Sequence, residues 1–172
     1  MEYFDLYDID RKKLDRTIER SEQVPKDTYR MVIHVCIFNS KGEMLIQQRQ
    51  SFKKNNPNKW DVSVAGCSQL GENSRQSAER EVFEEIGYKI DLTNTRPYFT
   101  FNFETGYDDV YIIEADLNLD ELKLQYEEVQ AAKWATKDEI LKLMDEDKFI
   151  NYYKSFIECL FEMKNYRGVL KK

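Results

Sequence analysis

The stretch GCSQLGENSRQSAEREVFEEIGY, residues 66–88, carries the strongest signal in this chain. It fills every fixed position of the pattern GX5EX7REUXEEXGU, where U is a bulky apolar residue, and only Tyr88 departs slightly from it. Seven identities are fixed, so at roughly 7% usage each, chance agreement at a given start is on the order of 10⁻⁸. The match is therefore a specific motif rather than a feature of composition.

The motif spans a predicted strand, loop and helix. Residues 60–65 read WDVSVA, a strand pattern that leads directly into Gly66. Asn73 is a suitable N-cap with Gln76 at the third helical position, so we expect a helix over residues 74–86. On that helix Ala78, Val82 and Ile86 form an apolar stripe that should pack on a sheet.

Three glutamates share another face of this helix. At about 100° per residue, Glu81, Glu84 and Glu85 span an arc of roughly 100°. Like charges at this spacing repel each other, and a divalent cation such as Mg²⁺ or Mn²⁺ removes that penalty. Arg80 is close enough to orient Glu84, and Gly66 would let its carbonyl oxygen approach the ion. The spacing thus predicts a metal site.

The rest of the chain supplies a sheet and further helices. Strand patterns cover residues 3–7, 31–38, 43–49, 98–103, 110–115 and 131–135, and the second and third of these read as a hairpin. Thr136 begins a helix that reaches about residue 144. A final helix carries a stripe of apolar residues, namely Phe149, Tyr153, Phe156, Ile157 and Leu160. Helices before and after the strands imply a sheet covered on both faces.

The motif resembles the Nudix box, and the element order resembles that family from about residue 31 to residue 140. The resemblance implies an α/β fold, an α/β/α sandwich whose mixed β-sheet is covered by helices on both faces. We expect one domain over residues 1–172, with residues 1–28 as an N-terminal arm. The resemblance also implies hydrolysis of a diphosphate linkage. The catalytic and metal-binding residues that it implies are Arg80, Glu81, Glu84 and Glu85, with Glu72 as a supporting carboxylate.

A wider similarity points to the isopentenyl-diphosphate isomerases and to the Nudix hydrolases closest to them. It rests on FNSKGEMLIQQR at residues 38–49 and VAGCSQLGE at residues 64–72. The isomerase uses a cysteine where this chain has Ala65, and metal-binding histidines at the positions of Gln23, Arg30 and Cys67. An alanine cannot exchange protons, so isomerisation is disfavoured and hydrolysis is expected.

Two further roles follow from the same resemblance. Arg49 and Lys53 match positions that hold the diphosphate in the isomerases, although a solvated basic loop explains them equally well. Glu128, six residues before Trp134, matches the position of a general base in many Nudix hydrolases. The competing candidates for that base are Glu127, Glu81 and Asp109.

Composition limits the remaining possibilities. A formal charge of −6 argues against nucleic acid as a partner, and no apolar run approaches the roughly 20 residues of a membrane span. The N-terminal residues lack a secretory pattern and three scattered cysteines do not form a disulfide framework, so we expect a cytoplasmic protein. The expected partner is a small-molecule diphosphate substrate, in the first place a nucleoside diphosphate derivative. An isomerase and a non-catalytic nucleotide-binding module remain as alternatives, and a homodimer is left open.

Overall fold

A computed structural model describes residues 2–168 and Leu170. Strands β1 (Tyr3–Tyr7) and β2 (Lys13–Glu19) form an antiparallel N-terminal hairpin. The main sheet contains β3 (Arg30–Phe38), β4 (Met44–Arg49), β5 (Trp60–Asp61), β6 (Val64–Cys67), β7 (Phe99–Phe103), β8 (Gly106–Glu114) and β9 (Val129–Ala135). Its order is β5-β4-β3-β8-β7, with β6 paired to β3 and β9 paired to β4. The helices are α1 (Ser74–Ile86), α2 (Lys137–Asp145) and α3 (Lys154–Met163).

The helices lie on opposite faces of this mixed sheet. Ala78, Val82 and Ile86 of α1 are fully buried against one face, together with Ile33 and Val35 of β3. Burial of a side chain such as Val82 or Ile86 contributes about 1.5–3 kcal/mol, which holds the motif helix in place. The opposite face is covered by α2 and α3 through buried residues that include Ile140, Ile157 and Leu160. The predicted α/β/α sandwich is confirmed.

Helix α1 begins and ends as its sequence predicts. The Asn73 side chain accepts hydrogen bonds from the Arg75 and Gln76 amides, and the Gln76 side chain accepts one from the Asn73 amide. This capping box satisfies amides that the first turn leaves free. At the other end Gly87 adopts a φ of 70°, a left-handed conformation that glycine tolerates best. The motif helix is therefore fixed at both ends by local sequence.

The predicted hairpin between residues 31–38 and 43–49 is paired only at its closed end. Phe38 and Met44 are partners there, but β3 then pairs with β6 while β4 pairs with β5 and β9. The expected single strand over residues 60–65 is correspondingly broken between β5 and β6. Ser63 lies at this break, accepting a hydrogen bond from the Ile37 amide and donating one to the Leu45 carbonyl. Its hydroxyl thus bridges the two diverging strands.

Two local expectations are wrong. The N-terminal arm contains a second strand, β2, in addition to the predicted one. The last helix begins only at Lys154, so Phe149 and Tyr153 do not belong to it. Phe149 is buried in a bridge beside Trp60, whose backbone bonds with Lys148 and Ile150 prevent a helical start there. None of the described helices is long and apolar enough to cross a membrane.

Candidate active site

A cavity of about 120 Å³ lies where α1, β6 and the N-terminal hairpin meet. The motif lines it with Gly66, Glu81, Glu84 and Glu85. Two more of the sequence-predicted residues, Arg49 and Glu128, lie on its walls. Lys53 does not line the cavity but contacts one wall, because its Nζ lies 2.6 Å from the Glu128 carboxylate. The structure therefore brings the predicted site residues together.

Arg80 connects the carboxylates of the motif. Its guanidinium donates to Glu72 through Nε at 2.6 Å and Nη2 at 3.0 Å, and its Nη1 lies 2.9 Å from Glu84 and 3.0 Å from Glu81. It also donates to the backbone carbonyl of Cys67 at 3.1 Å. Because the guanidinium is planar and always charged, these bonds fix α1 relative to the strand that carries Gly66.

Glu72 supports this arrangement from the loop before α1. Burial alone would raise the pKa of its carboxyl, but hydrogen bonds from Arg80, the Gln69 amide and Ser77 lower it below the ordinary value. Glu72 is thus held ionised and its carboxylate oxygens are occupied. Its position suits a structural carboxylate that anchors Arg80 rather than a group that contacts a substrate.

Glu81, which is partly buried, and Glu85, which is buried, have a different environment. Burial raises the pKa of Glu81 to about 7, and Arg80 opposes the rise only in part. Burial and the Glu81 charge raise the pKa of Glu85 well above its ordinary value. The Gln47 amide donates to Glu85 at 2.7 Å, which orients its carboxylate inside the fold. Ionisation of these two carboxyl groups therefore destabilises the folded state. Such raised pKa values are typical of functional sites.

Gly66 approaches the Glu81 carboxylate very closely. A Cβ atom at this position would lie 2.2 Å from Glu81 Cδ and 2.2 Å from Oε1. Such a distance is far below a van der Waals contact, so any larger residue would displace the carboxylate. Glycine therefore lets the Glu81 carboxylate keep the position that it has here.

The donor set is compatible with Mg²⁺ or Mn²⁺ but is not preassembled. Among the residues that the structure describes, no three acidic, histidine or cysteine side chains converge closely enough to hold an ion as they stand. Arg80 holds Glu81 and Glu84, and Gln47 holds Glu85. The fit rests on buried oxygen donors: two desolvated carboxylates next to each other, and a buried Gln47 Oε1 without a hydrogen-bond partner. Small rotations of the glutamates would be required.

Two competitors for the general base lie elsewhere. Glu127 is exposed and does not line the cavity. Asp109 is buried on β8, where Arg11 and Thr100 donate to its oxygens. Among the candidates from sequence, only Glu128 and Glu81 line the cavity.

Sequence reasoning missed the contribution of the N-terminal hairpin. Glu2 and Arg20 also line the cavity, and the Arg20 Nη1 donates to Glu2 at 2.6 Å. The hairpin is held in place by a backbone bond from Leu70 to Tyr3 and by the Asp5 carboxylate on the Gly71 amide. No local pattern marks Arg20 as a site residue. The polar Gln47 inside an apolar strand, in contrast, could have been recognised from sequence as a candidate site residue.

The positions that distinguish an isomerase lie partly at this site. Ala65 and Cys67 line the cavity, so the acid or base of an isomerase is replaced by an inert methyl group at Ala65. Cys67 has a raised pKa because it is buried, which disfavours a thiolate. His34 is buried behind the site, where its Nε2 is bonded to the Tyr152 hydroxyl.

Comparisons with known proteins agree with this geometry. A family model described as "NUDIX domain" matches residues 28–156. The chain is 46% identical over 165 residues to an uncharacterised Nudix hydrolase of Listeria innocua, covering 96% of each chain. The chain belongs to the Nudix family, whose hydrolases act on diphosphate linkages.

The chain is also similar to an isomerase in sequence and to a solved structure in fold. An isopentenyl-diphosphate Δ-isomerase from Pectobacterium atrosepticum is 29% identical over 134 residues, covering 74% of this chain and 73% of the isomerase. The crystal structure of DR0079 from Deinococcus radiodurans has the same fold, with a TM-score of 0.75 at 22% identity over 91% of this chain and 98% of that one.

Proposed function

We propose that this chain is a Mg²⁺-dependent hydrolase that cleaves a diphosphate linkage in a nucleoside diphosphate derivative by attack of water at phosphorus. The observation that carries the proposal is the pairing, in one cavity, of the partly buried acid Glu81 and the buried acid Glu85 with the cation Arg49. Acids of this kind suit a hard metal ion, and a guanidinium suits a phosphate oxygen.

Glu81, Glu84, Glu85 and the Gly66 carbonyl would hold the ion. When bound, Mg²⁺ polarises a phosphoryl oxygen and lowers the pKa of a bound water. Arg80 would keep the glutamates aligned through its contacts with Glu81 and Glu84. The Gly66 backbone leaves room for the Glu81 carboxylate, which a side chain at residue 66 would displace.

Arg49 and Lys53 would bind the substrate phosphates. Arg49 reaches the cavity directly, and Lys53 is paired with Glu128. A diphosphate oxygen that pairs with Lys53 in place of Glu128 would leave the Glu128 carboxylate free to accept a proton from water. Glu128 is accordingly the proposed general base. Glu81 is the alternative, since a pKa of about 7 makes its carboxylate an effective proton acceptor near neutral pH.

An aromatic pair beside the cavity supports a nucleoside substrate. Phe52 and Tyr126 are exposed, with ring centroids 5.7 Å apart. Phe52 precedes Lys53 in sequence, and Tyr126 lies between Gln125 and Glu128, both of which line the cavity. An exposed aromatic face next to bound phosphates can stack a base. The aromatic residues of β7 are less suitable, since Phe101 packs against Phe156 on the α3 side.

A substrate screen tests the proposal. Nucleoside triphosphates, nucleotide sugars, dinucleoside polyphosphates and isopentenyl diphosphate would be incubated with Mg²⁺, and phosphate release and isomerisation scored separately. We expect phosphate release from a nucleoside substrate, abolished by a chelator. Isomerisation without release would instead support the isomerase, and binding without turnover would support the non-catalytic module.

Two variants assign the roles in that assay. Glu85→Gln should lower kcat by about 100-fold or more, because it removes a charge from the proposed metal site. The matched control is Glu158→Gln, which makes the same change at an exposed position of α3 on the opposite face of the sheet. Unchanged turnover by Glu85→Gln would refute the metal role.

The cellular compartment is a separate part of the proposal. The free thiols of the three cysteines support a reducing compartment, and we propose the cytoplasm.

A further inference from the structure

A chain of buried polar side chains runs behind the cavity and has no part in the hydrolysis proposed above. His34 on β3 is 7% exposed, and its Nδ1 lies 2.6 Å from Asp108 Oδ2 on β8. Its Nε2 lies 2.8 Å from the hydroxyl of Tyr152, just before α3. That hydroxyl donates to Asp61 Oδ1 on β5 at 2.8 Å. Three strands and the segment before α3 are thus joined by side-chain contacts.

The direction of these bonds follows from the donors available. An ionised Asp61 only accepts, so Tyr152 gives it its single proton and must accept a hydrogen bond from His34 Nε2. The other nitrogen, Nδ1, lies beside the Asp108 carboxylate but is not aligned for a hydrogen bond with it. Burial alone would lower the pKa of His34, but Asp108 raises it above the ordinary value. His34 Nε2 is therefore the proton donor to Tyr152 when Asp61 is ionised.

Asp61 is the end of the chain nearest to Arg49, which lines the cavity. Its side chain is 2% exposed, and Oδ1 accepts from both Tyr152 and the Val62 amide at 2.8 Å. The other oxygen, Oδ2, lies 4.0 Å from Arg49 Nη1. A buried carboxylate is stable only with compensating charge or hydrogen bonds. Since Oδ1 is satisfied by the chain, Oδ2 remains directed at the guanidinium that lines the cavity.

We propose that Asp61 is a positioning residue for Arg49, and that Tyr152 and His34 hold the Asp61 carboxylate in place for that task. This inference rests on the proposed role of Arg49 in binding a substrate phosphate. A fixed carboxylate restricts the rotamers of the arginine before substrate arrives, which lowers the entropy lost on binding. Tyr152, in the segment before α3, thereby affects diphosphate binding without contacting the substrate.

Steady-state kinetics of conservative variants test the inference. Tyr152→Phe removes the hydroxyl and keeps the ring, and Asp61→Asn keeps the shape and removes the charge. Each should raise KM by about three- to fivefold, the value of an ion pair at 4.0 Å without a direct hydrogen bond, with kcat within about twofold of wild type. The matched control is Tyr111→Phe, which removes a buried hydroxyl bonded to Ser74 on the other face of the sheet. Its KM should not change.

A double-mutant cycle separates this inference from the proposed function. If Arg49→Gln leaves KM unchanged, the phosphate role of Arg49 is wrong and the positioning role falls with it. If Arg49→Gln raises KM but Tyr152→Phe and Asp61→Asn do not, only the positioning role is overturned. We expect the combined variant Arg49→Gln with Tyr152→Phe to have the KM of Arg49→Gln alone, because both changes act on one interaction.

The single histidine of the chain allows a direct measurement. In the wild-type protein, the signal of Nε2 in ¹⁵N-labelled His34 should be that of a protonated nitrogen. Inorganic pyrophosphate should move this signal in wild type and leave it unmoved in Tyr152→Phe. Pyrophosphate binding that leaves the His34 signal of the wild type in place would refute the coupling, and this result does not depend on any variant folding.

Discussion

Replacing Glu81 with glutamine should stabilise the metal-free protein at alkaline pH, although the change removes a proposed metal ligand. Burial raises the pKa of Glu81 to about 7 from an ordinary value of 4.5. The side chain is only 14% exposed, so solvent screens this cost weakly. A raised carboxyl pKa means that the folded protein binds more protons than the unfolded chain between these two values. The contribution of Glu81 to stability therefore falls as pH rises through that window and is constant above it.

The shift gives the magnitude of the effect. A difference of 2.5 pKa units corresponds to about 3 kcal/mol once both states are ionised, at 1.36 kcal/mol per unit. Glutamine keeps the shape and carries no charge, so Glu81→Gln should raise the free energy of unfolding by about 3 kcal/mol at pH 8 and by less than about 1 kcal/mol at pH 5. The loss of the Arg80 ion pair is already included in this shift.

Urea denaturation with a chelator present measures this difference at pH 5, 6, 7 and 8. The control is Glu158→Gln on the exposed side of α3, whose stability relative to wild type should not depend on pH in this range. Addition of Mg²⁺ should then stabilise wild type more than Glu81→Gln, because ligand binding to the folded state adds to its stability. A Glu81→Gln variant that is no more stable than wild type at pH 8 would refute the reasoning.

Three other changes have defined outcomes. Gly66→Ala should lower kcat/KM by about 100-fold with little change in helix content by circular dichroism, because the new methyl group displaces the Glu81 carboxylate; near-normal activity would show that the carboxylate can move freely. Asn73→Ala should cost about 1 kcal/mol of unfolding free energy in urea titration, since it removes the cap of α1; no loss would mean that packing alone fixes the helix start. Cys67→Ser should keep kcat within about threefold in the same phosphate-release assay, because Arg80 contacts only the Cys67 backbone carbonyl; a large loss would assign the thiol a role.

The motif helix could be predicted from sequence because its determinants are local. Asn73 and Gln76 cap the first turn, Gly87 ends the last, and Ala78 and Val82 lie one turn apart on the buried face. The face that carries the glutamates follows from the same periodicity. The site could therefore be placed at one end of a strand and one face of a helix without knowledge of the tertiary structure.

Other features depend on contacts between distant residues. The divergence of β3 and β4 follows from the insertion of β6 and from the hydroxyl of Ser63, neither of which a hairpin pattern reveals. The late start of α3 follows from backbone pairing between Trp60 and Phe149 across 89 positions of sequence. Arg20 reaches the cavity only because β2 pairs with β1, which is docked on the loop before α1. Tertiary pairing of this kind has no short-range signature.

The N-terminal hairpin has a consequence for the divergence of related chains. Its attachment to the motif loop includes the bond from the Leu70 amide to the Tyr3 carbonyl, which any residue at position 3 and any residue except proline at position 70 would permit. Mutations at Glu2 and Arg20 can therefore accumulate without loosening that anchor, while the residues of the helix stay fixed. Lineages that share the same hydrolytic centre could in this way acquire different substrate preferences through the first twenty residues of the chain.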